Sequence, residues 1–308
     1  MTAAEQLAAL PLGRIENEDI DVYHASPCLS VSKMKVFRHS PALYHGRFIT
    51  KKIPLPKETK AFADGKAIES LGLDGRAAYE SLYYVVPEGV GKVKVGDKAI
   101  RENLAAQHPG KVALSFDDAE MVERININLH AHHLAGPLLA ACKMQVTFRI
   151  KGELFHLQVR PDGWSEEGCE LTQGEPFIAD LKSLPELPDD EPEVIPRQIS
   201  DYWYQGQATT YRDIVSNVMK FPDEFRPRFF FIFVGKKEPY AVQVVELDDA
   251  ALDLGFKQVK DTLDRLRICH LENRWPISWN ETYLKEPQRV GLPSYYLKKE
   301  NAESGLWG

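Results

Sequence analysis

The sequence predicts a mixed α/β domain, with helices packed around a central sheet. Three observations carry that expectation. Residues 228–247, RFFFIFVGKKEPYAVQVVEL, read as two apolar strands joined across Gly235 to Pro239 in a hairpin. Residues 144–164 and 169–183 have the look of further strands. After the capping residue Asp248, the apolar positions Leu252, Phe256, Val259, Leu263 and Leu266 step by four and three, the mark of a long helix. At 308 residues, 44% hydrophobic and 27% charged, the chain has a globular balance that excludes disorder and low-complexity fibre.

In chain order, residues 1–22 carry little pattern and read as an arm or a short helix. Ser30 or Ser32 caps a short helix carrying Met34 and Phe37, and Ser40-Pro41 starts another. A Lys- and Pro-rich linker leads to a helix from Ala61 to Leu71, and Val85-Val86 reads as a strand end before Pro87. Ser115 and Asp118 form a capping box that opens a helix through Met121, Ile125 and Leu129, with a stop near Gly136-Pro137. Residues 184–196, LPELPDDEPEVIP, are acidic and proline-rich and predict a loop. Gln198 to Met219 reads as one helix, and the polar, irregular stretch from Trp279 onward as a tail. No internal repeat is visible.

Charge and cysteine usage narrow the function classes. Lys and Arg total 38 against 45 Asp and Glu, a net charge of −7, so the overall field does not attract nucleic acid. The basic residues are uneven, however. Lys51, Lys52, Lys57, Lys60 and Lys66 crowd one stretch, and Lys92, Lys94, Lys98 and Arg101 another. Each cluster is either a solvated face or a phosphate-tracking surface. The four cysteines are far apart with no C-x-x-C pair, which argues against a structural zinc and for free thiols. His130-Ala-His132-His133 lacks an acidic or Cys partner at ligand spacing and reads as solvated helix. No apolar run approaches the ~20 residues that cross a bilayer. The N-terminus lacks a basic start and apolar core, so the expectation is a cytoplasmic protein.

Two strands carry the chemistry. In HLQVRPDGW, period two sets His156, Gln158, Arg160 and Asp162 on one face. In FIADLKS, Asp180 and Lys182 emerge together from an otherwise apolar strand, where an acid and an ammonium are costly unless paired or metal-bound. Two carboxylates and a lysine so spaced suit a metal-dependent phosphodiesterase: the carboxylates hold a hard cation and the lysine orients the attacking water. A structural Asp–Lys pair is the alternative.

Together, Pro161-Asp162, Asp180-Leu181-Lys182, Gln207-Ala-Thr-Thr-Tyr211, Gly65-Lys-Ala-Ile-Glu69 and the opening YH…LSVSK…SPALY resemble the PD-(D/E)xK nuclease superfamily, in its RecE-like (exonuclease VIII) and phage-exonuclease branch. Glu69 stands where RecE-like proteins usually carry histidine; the lambda-exonuclease branch has a glutamate on the equivalent helix. The iron–sulfur nucleases of the superfamily do not fit, since Cys269 stands alone.

The resemblance implies a restriction-endonuclease-like core over residues 23–284, followed by a polar tail at 285–308. It implies Asp162, Asp180 and the Leu181 carbonyl as ligands of Mg²⁺, with Mn²⁺ able to substitute, and Glu69 completing the sphere. Lys182 would polarise the water, and Gln207 and Tyr211 would hold the lysine, water or phosphate. Arg160, Ser32 and Arg38 are expected near the DNA. The implied activity is exonucleolytic degradation of linear double-stranded DNA, 5′→3′, leaving 3′ overhangs for phage-type recombination in the bacterial cytoplasm. The implied assembly is a trimeric or tetrameric ring serving a single-strand annealing protein. An endonuclease or repair nuclease of the same superfamily, and a DNA-binding relic without chemistry, are the competing expectations.

Overall fold

The computed structural model describes residue 7, residues 9–91, 95–188 and 191–277, and residue 291. Lys92 and Lys94, and all of the expected 285–308 tail except Gly291, lie outside the described residues.

Within the N-terminal segment expected to be an arm or a short helix, the described residues 13–22 contribute a strand and the start of a helix. β1 (Gly13–Ile15) adds to a sheet, and α1 (Ile20–Ala25) starts on Asp19, whose carboxylate accepts from two first-turn amides. α2 (Val31–His39) is capped by the Ser30 hydroxyl, and α3 (Pro41–Tyr44) by Ser40 with Pro41 in its first turn. α4 (Lys60–Glu69) is capped by Thr59 and widens into a π turn over Ser70–Asp74. α5 (Arg76–Leu82), β2 (Tyr83–Val85), α6 (Val95–Gln107) and β3 (Val112–Leu114) follow.

α7 (Phe116–Ala131) starts at Ser115 as expected, but it ends at His132 rather than at Gly136-Pro137. The His132 ring accepts from the Leu134 and Ala135 amides, and Pro137 is taken into the first turn of α8 (Ala135–Ala140), where a proline needs no amide partner. The expected strand region 144–164 is four short strands: β4 (Lys143–Met144), β5 (Thr147–Ile150), β6 (Leu157–Val159) and β7 (Gly163–Ser165). Residues 169–176 are not strand; a 3-10 turn at Glu170–Thr172 and left-handed backbone at Gln173 and Gly174 break extension. β8 (Phe177–Leu184) then runs uninterrupted.

The expected helix over 198–219 is two helices, α9 (Val194–Asp201) and α10 (Tyr204–Met219). Trp203 separates them in left-handed backbone at φ 56°, held there by an indole bond to Gln258 of 2.7 Å. β9 (Arg228–Gly235) and β10 (Val242–Val245) form the antiparallel hairpin, and α11 (Asp249–Glu272) is the long helix, capped by Asp248. Phe256, expected in its buried stripe, is instead 52% exposed, while Val259 and Leu266 are buried.

The main sheet has the order β10-β9-β8-β7-β4, with β8 and β9 parallel and the other pairs antiparallel. β1, β5 and β6 form a second, antiparallel sheet, and β2 and β3 a parallel pair. Alternation sorts the central strands into two cores. Phe177, Ala179, Leu181, Phe230, Ile232 and Val234 pack with Ile68 of α4 and Ile125 and Leu129 of α7. On the other face Ile178, Phe229, Phe231 and Phe233 pack on Ala208, Ile214 and Val215 of α10. Phe231 and Phe233 are wholly buried, each contributing about 2–3 kcal/mol. Among the described residues no helix is long and apolar enough to cross a membrane.

Candidate active site

The site forms where the ladder between β7 and β8 stops. The two strands pair from Ser165↔Phe177 to Gly163↔Ala179. Past Ala179 that edge of β8 is open, and Asp162, the residue before β7, fills the gap with its side chain. Its Oδ2 accepts the Leu181 amide at 2.8 Å. In a strand the N–H and C=O of one residue point to the same edge, so the Leu181 carbonyl faces the same gap.

Asp180 and Lys182 share the α10 face of β8. Asp180 is 2% exposed, and its two oxygens have different neighbours. Oδ1 accepts from the Gln207 amide at 2.7 Å, and Oδ2 meets the Lys182 ammonium. One turn along α10, the partly buried Tyr211 places its hydroxyl beside the Gln207 amide. The Q-x-x-x-Y spacing therefore does what helix periodicity allows: Gln207 reaches the Asp180 carboxylate and Tyr211 meets Gln207 from the same face of the helix.

Glu69 arrives from the opposite face, at the last α-turn of α4. Gly65 of the same helix faces β8, where a Cβ would make ordinary contact with Ser183 Oγ at 3.5 Å. The π turn that follows widens the helix just beyond the carboxylate.

Electrostatics bind these groups into one unit. Burial pushes the Asp162 carboxyl well above its ordinary range, and the nearby Asp180 and Glu69 carboxylates raise it further. Burial likewise lifts Glu69 to about 7, with Asp180 adding to the rise and Lys182 opposing it. Burial works to lower Lys182, but the Asp180 and Asp162 charges outweigh it and hold the ammonium protonated above its usual range. Tyr211 is raised chiefly by burial.

Asp162, Asp180, Leu181, Lys182, Glu69, Gln207 and Tyr211 are thus brought together. The three residues expected at the DNA are engaged elsewhere. Ser32 shares a 2.9 Å hydroxyl bond with Ser30. Arg38 bonds Thr262 at 3.1 Å and lies over the Trp203 ring. Arg160 donates to the Glu18 carbonyl at 2.6 Å and to Gln145 at 2.8 Å. In the basic clusters, Lys60 meets Asp64 and Asp118, Lys66 meets Glu58 and Lys98 meets Glu102, which is how a solvated face behaves.

Two site residues escaped the sequence reading. The Tyr204 ring, at the start of α10, carries the Lys182 ammonium 5.2 Å from its centroid and the Lys35 ammonium of α2 at 5.0 Å. Burial lowers Lys35 to about 8, with Lys182 lowering it further and Asp180 opposing. Their signal was faint: Lys35 is one lysine of a K-x-K pair, and Tyr204 one tyrosine of several.

The donor set suits a hard divalent cation: two carboxylates, a main-chain carbonyl and a third carboxylate nearby. The crowding that keeps protons on Asp162 and Glu69 is what a cation would relieve. Among the described residues, Asp162, Asp180 and Glu69 do not themselves form a closed three-ligand cage, and the Lys182 ammonium stands against Asp180 Oδ2.

Known proteins point the same way. Residues 30–286 match the model of a family described as a PDDEXK-like domain of unknown function (DUF3799). The fold resembles the crystal structure of a "putative exonuclease" from Eubacterium rectale, with a TM-score of 0.58 at 12% identity over 90% of this chain and 97% of that one. No curated protein matches the chain.

Proposed function

The chain belongs to the PDDEXK-like family, DUF3799, whose model spans residues 30–286, and from that premise we propose that it is a Mg²⁺-dependent exonuclease of linear double-stranded DNA. Nucleases of this superfamily generally act with divalent metals. The observation that carries the reading is the convergence of Asp162, just before β7, with Asp180 and Lys182 of β8 on one largely buried unit steadied by Gln207.

When bound, the cation supplies a Lewis acid that activates water and offsets charge on the scissile phosphate. Asp162, Asp180 and the Leu181 carbonyl would hold it, with Glu69 bonding directly or through its waters. Gln207 keeps Asp180 in one rotamer through the 2.7 Å bond, so the ligand geometry is set before substrate arrives. Lys182, held protonated, donates to the attacking water or a phosphate oxygen and orients it for in-line attack. Tyr211 restrains the Gln207 amide. Resection with 5′→3′ polarity, a ring assembly and delivery of the strand to an annealing protein extend the reading to phage-type recombination.

The test is digestion of one plasmid, circular and linearised, with Mg²⁺ or EDTA, by wild type and Lys182→Ala. Loss of the linear form alone, requiring both Mg²⁺ and Lys182, is expected. Cutting of closed circles would replace the exonuclease reading with an endonuclease, and full activity of Lys182→Ala would remove the site assignment.

A further inference from the structure

Lys35 is the one basic group of α2 that reaches the candidate site, and its surroundings are unusual for a lysine. It is about as close to the Tyr204 ring as Lys182 is, with the two ammoniums 5.0 and 5.2 Å from the same centroid. Among the described residues it has no carboxylate partner and makes no hydrogen bond, whereas Lys33, two residues earlier, donates to the Ser26 and Cys28 carbonyls at 2.7 Å. Lys182 also differs, having Asp180 as its counter-ion. The Lys35 side chain is partly buried on a helix that Met34 and Phe37 anchor in the core, so its base is fixed. A partly desolvated ammonium with donors unused, beside a second ammonium and an aromatic face, is a receptor for an anion.

Resting on the nuclease reading, we propose that Lys35 binds a backbone phosphate of the strand being cut, the one adjoining the scissile phosphate. Lys182 attends the scissile group itself, and Tyr204 spaces the two cations and excludes water from between them. Lys35 is thus a substrate-binding residue: its contact exists before and during the reaction and supports affinity, not the chemical step. A charge-assisted bond of this kind corresponds to about a tenfold change in affinity.

The experiment compares wild type, Lys35→Met, which keeps the packing against Tyr204, and Lys35→Arg, which keeps the charge. Binding of a short fluorescent duplex is followed by anisotropy in EDTA, where nothing is cut, across 50 to 200 mM salt, roughly the range over which phosphate contacts declare themselves. Lys35→Met should bind about tenfold more weakly, with a salt slope smaller by about 0.7–0.9, and Lys35→Arg should recover most of both. In steady-state cleavage with Mg²⁺, Lys35→Met should raise KM about tenfold and leave kcat within about threefold. An unchanged salt slope in Lys35→Met, or a fall in kcat with KM unchanged, overturns the phosphate-binding role. Failure of wild type to bind the duplex at all would instead overturn the nuclease reading on which it rests.

Discussion

Replacing Glu69 by glutamine tests the electrostatic crowding most directly. In the folded protein burial lifts the Glu69 carboxyl from 4.5 to about 7. The folded state therefore holds a proton across a window in which the unfolded chain has released it. Where the folded state binds more protons, stability falls as pH rises. The metal-free protein should lose stability between pH 4.5 and 7, by about 3 kcal/mol from this group at 1.36 kcal/mol per unit. Glu69→Gln removes the titrating group while keeping its shape. At pH 4.5 the two proteins should melt together; at pH 8 the variant should melt about 5 °C higher, on the entropy of unfolding of a chain this long. The assay is calorimetry or dye melting in EDTA across that range. A variant that melts below wild type at pH 8, or two superimposable profiles, would refute the claim that Glu69 is buried among like charges. The same variant should lose cleavage activity with Mg²⁺, so stability and activity are expected to move in opposite directions.

Gln207→Leu removes the donor to a buried carboxylate oxygen; it should lower stability by about 2 kcal/mol in a thermal melt and slow cleavage about 10- to 100-fold. Arg149 is fully buried and bonds Glu18, Gln158 and the Pro11 carbonyl, so Arg149→Met should cost about 3–5 kcal/mol, read as a shift of the urea midpoint. Gly255 of α11 faces the Gln205 carbonyl of α10, where an added Cβ would stand 2.4 Å away. Gly255→Ala should separate the helices, destabilise by about 1–3 kcal/mol and reduce cleavage through displaced Gln207, which kinetics and melting measure together.

Much of the site was legible because its residues obey local periodicities. Asp180 and Lys182 alternate with core side chains on one strand, and Gln207 and Tyr211 are a helical turn apart; each relation survives into the structure unchanged. The fold class was legible for the same reason, since β8, β9 and α11 carry long unbroken patterns. What failed depended on contacts distant in sequence. The break at Trp203 is set by Gln258, 55 residues later, and no local signal announces it. Strand β1 exists because β5 pairs with it, not because Gly13–Ile15 favours extension. Pro137 was read as a stop, yet a proline near a helix start is as stable as one after a helix end. Arg160 and Arg38, expected near DNA, have partners within the protein that local pattern does not announce: Glu18 and Gln145 for the first, Thr262 and Trp203 for the second. Lys35 needed three dimensions, because only the fold brings α2 to Tyr204.

The order in which the ribosome delivers these parts has a consequence of its own. Asp162, Asp180 and Lys182 all precede α10 in the chain. The segment that seats α10 comes later still: Gln258 holds Trp203 at its start, and Gly255 admits the close crossing that places Gln207. A nascent chain thus carries its reactive groups well before it has the helix that aligns them. On the nuclease reading, cutting power belongs to a chain that has reached α11 and not to a shorter fragment.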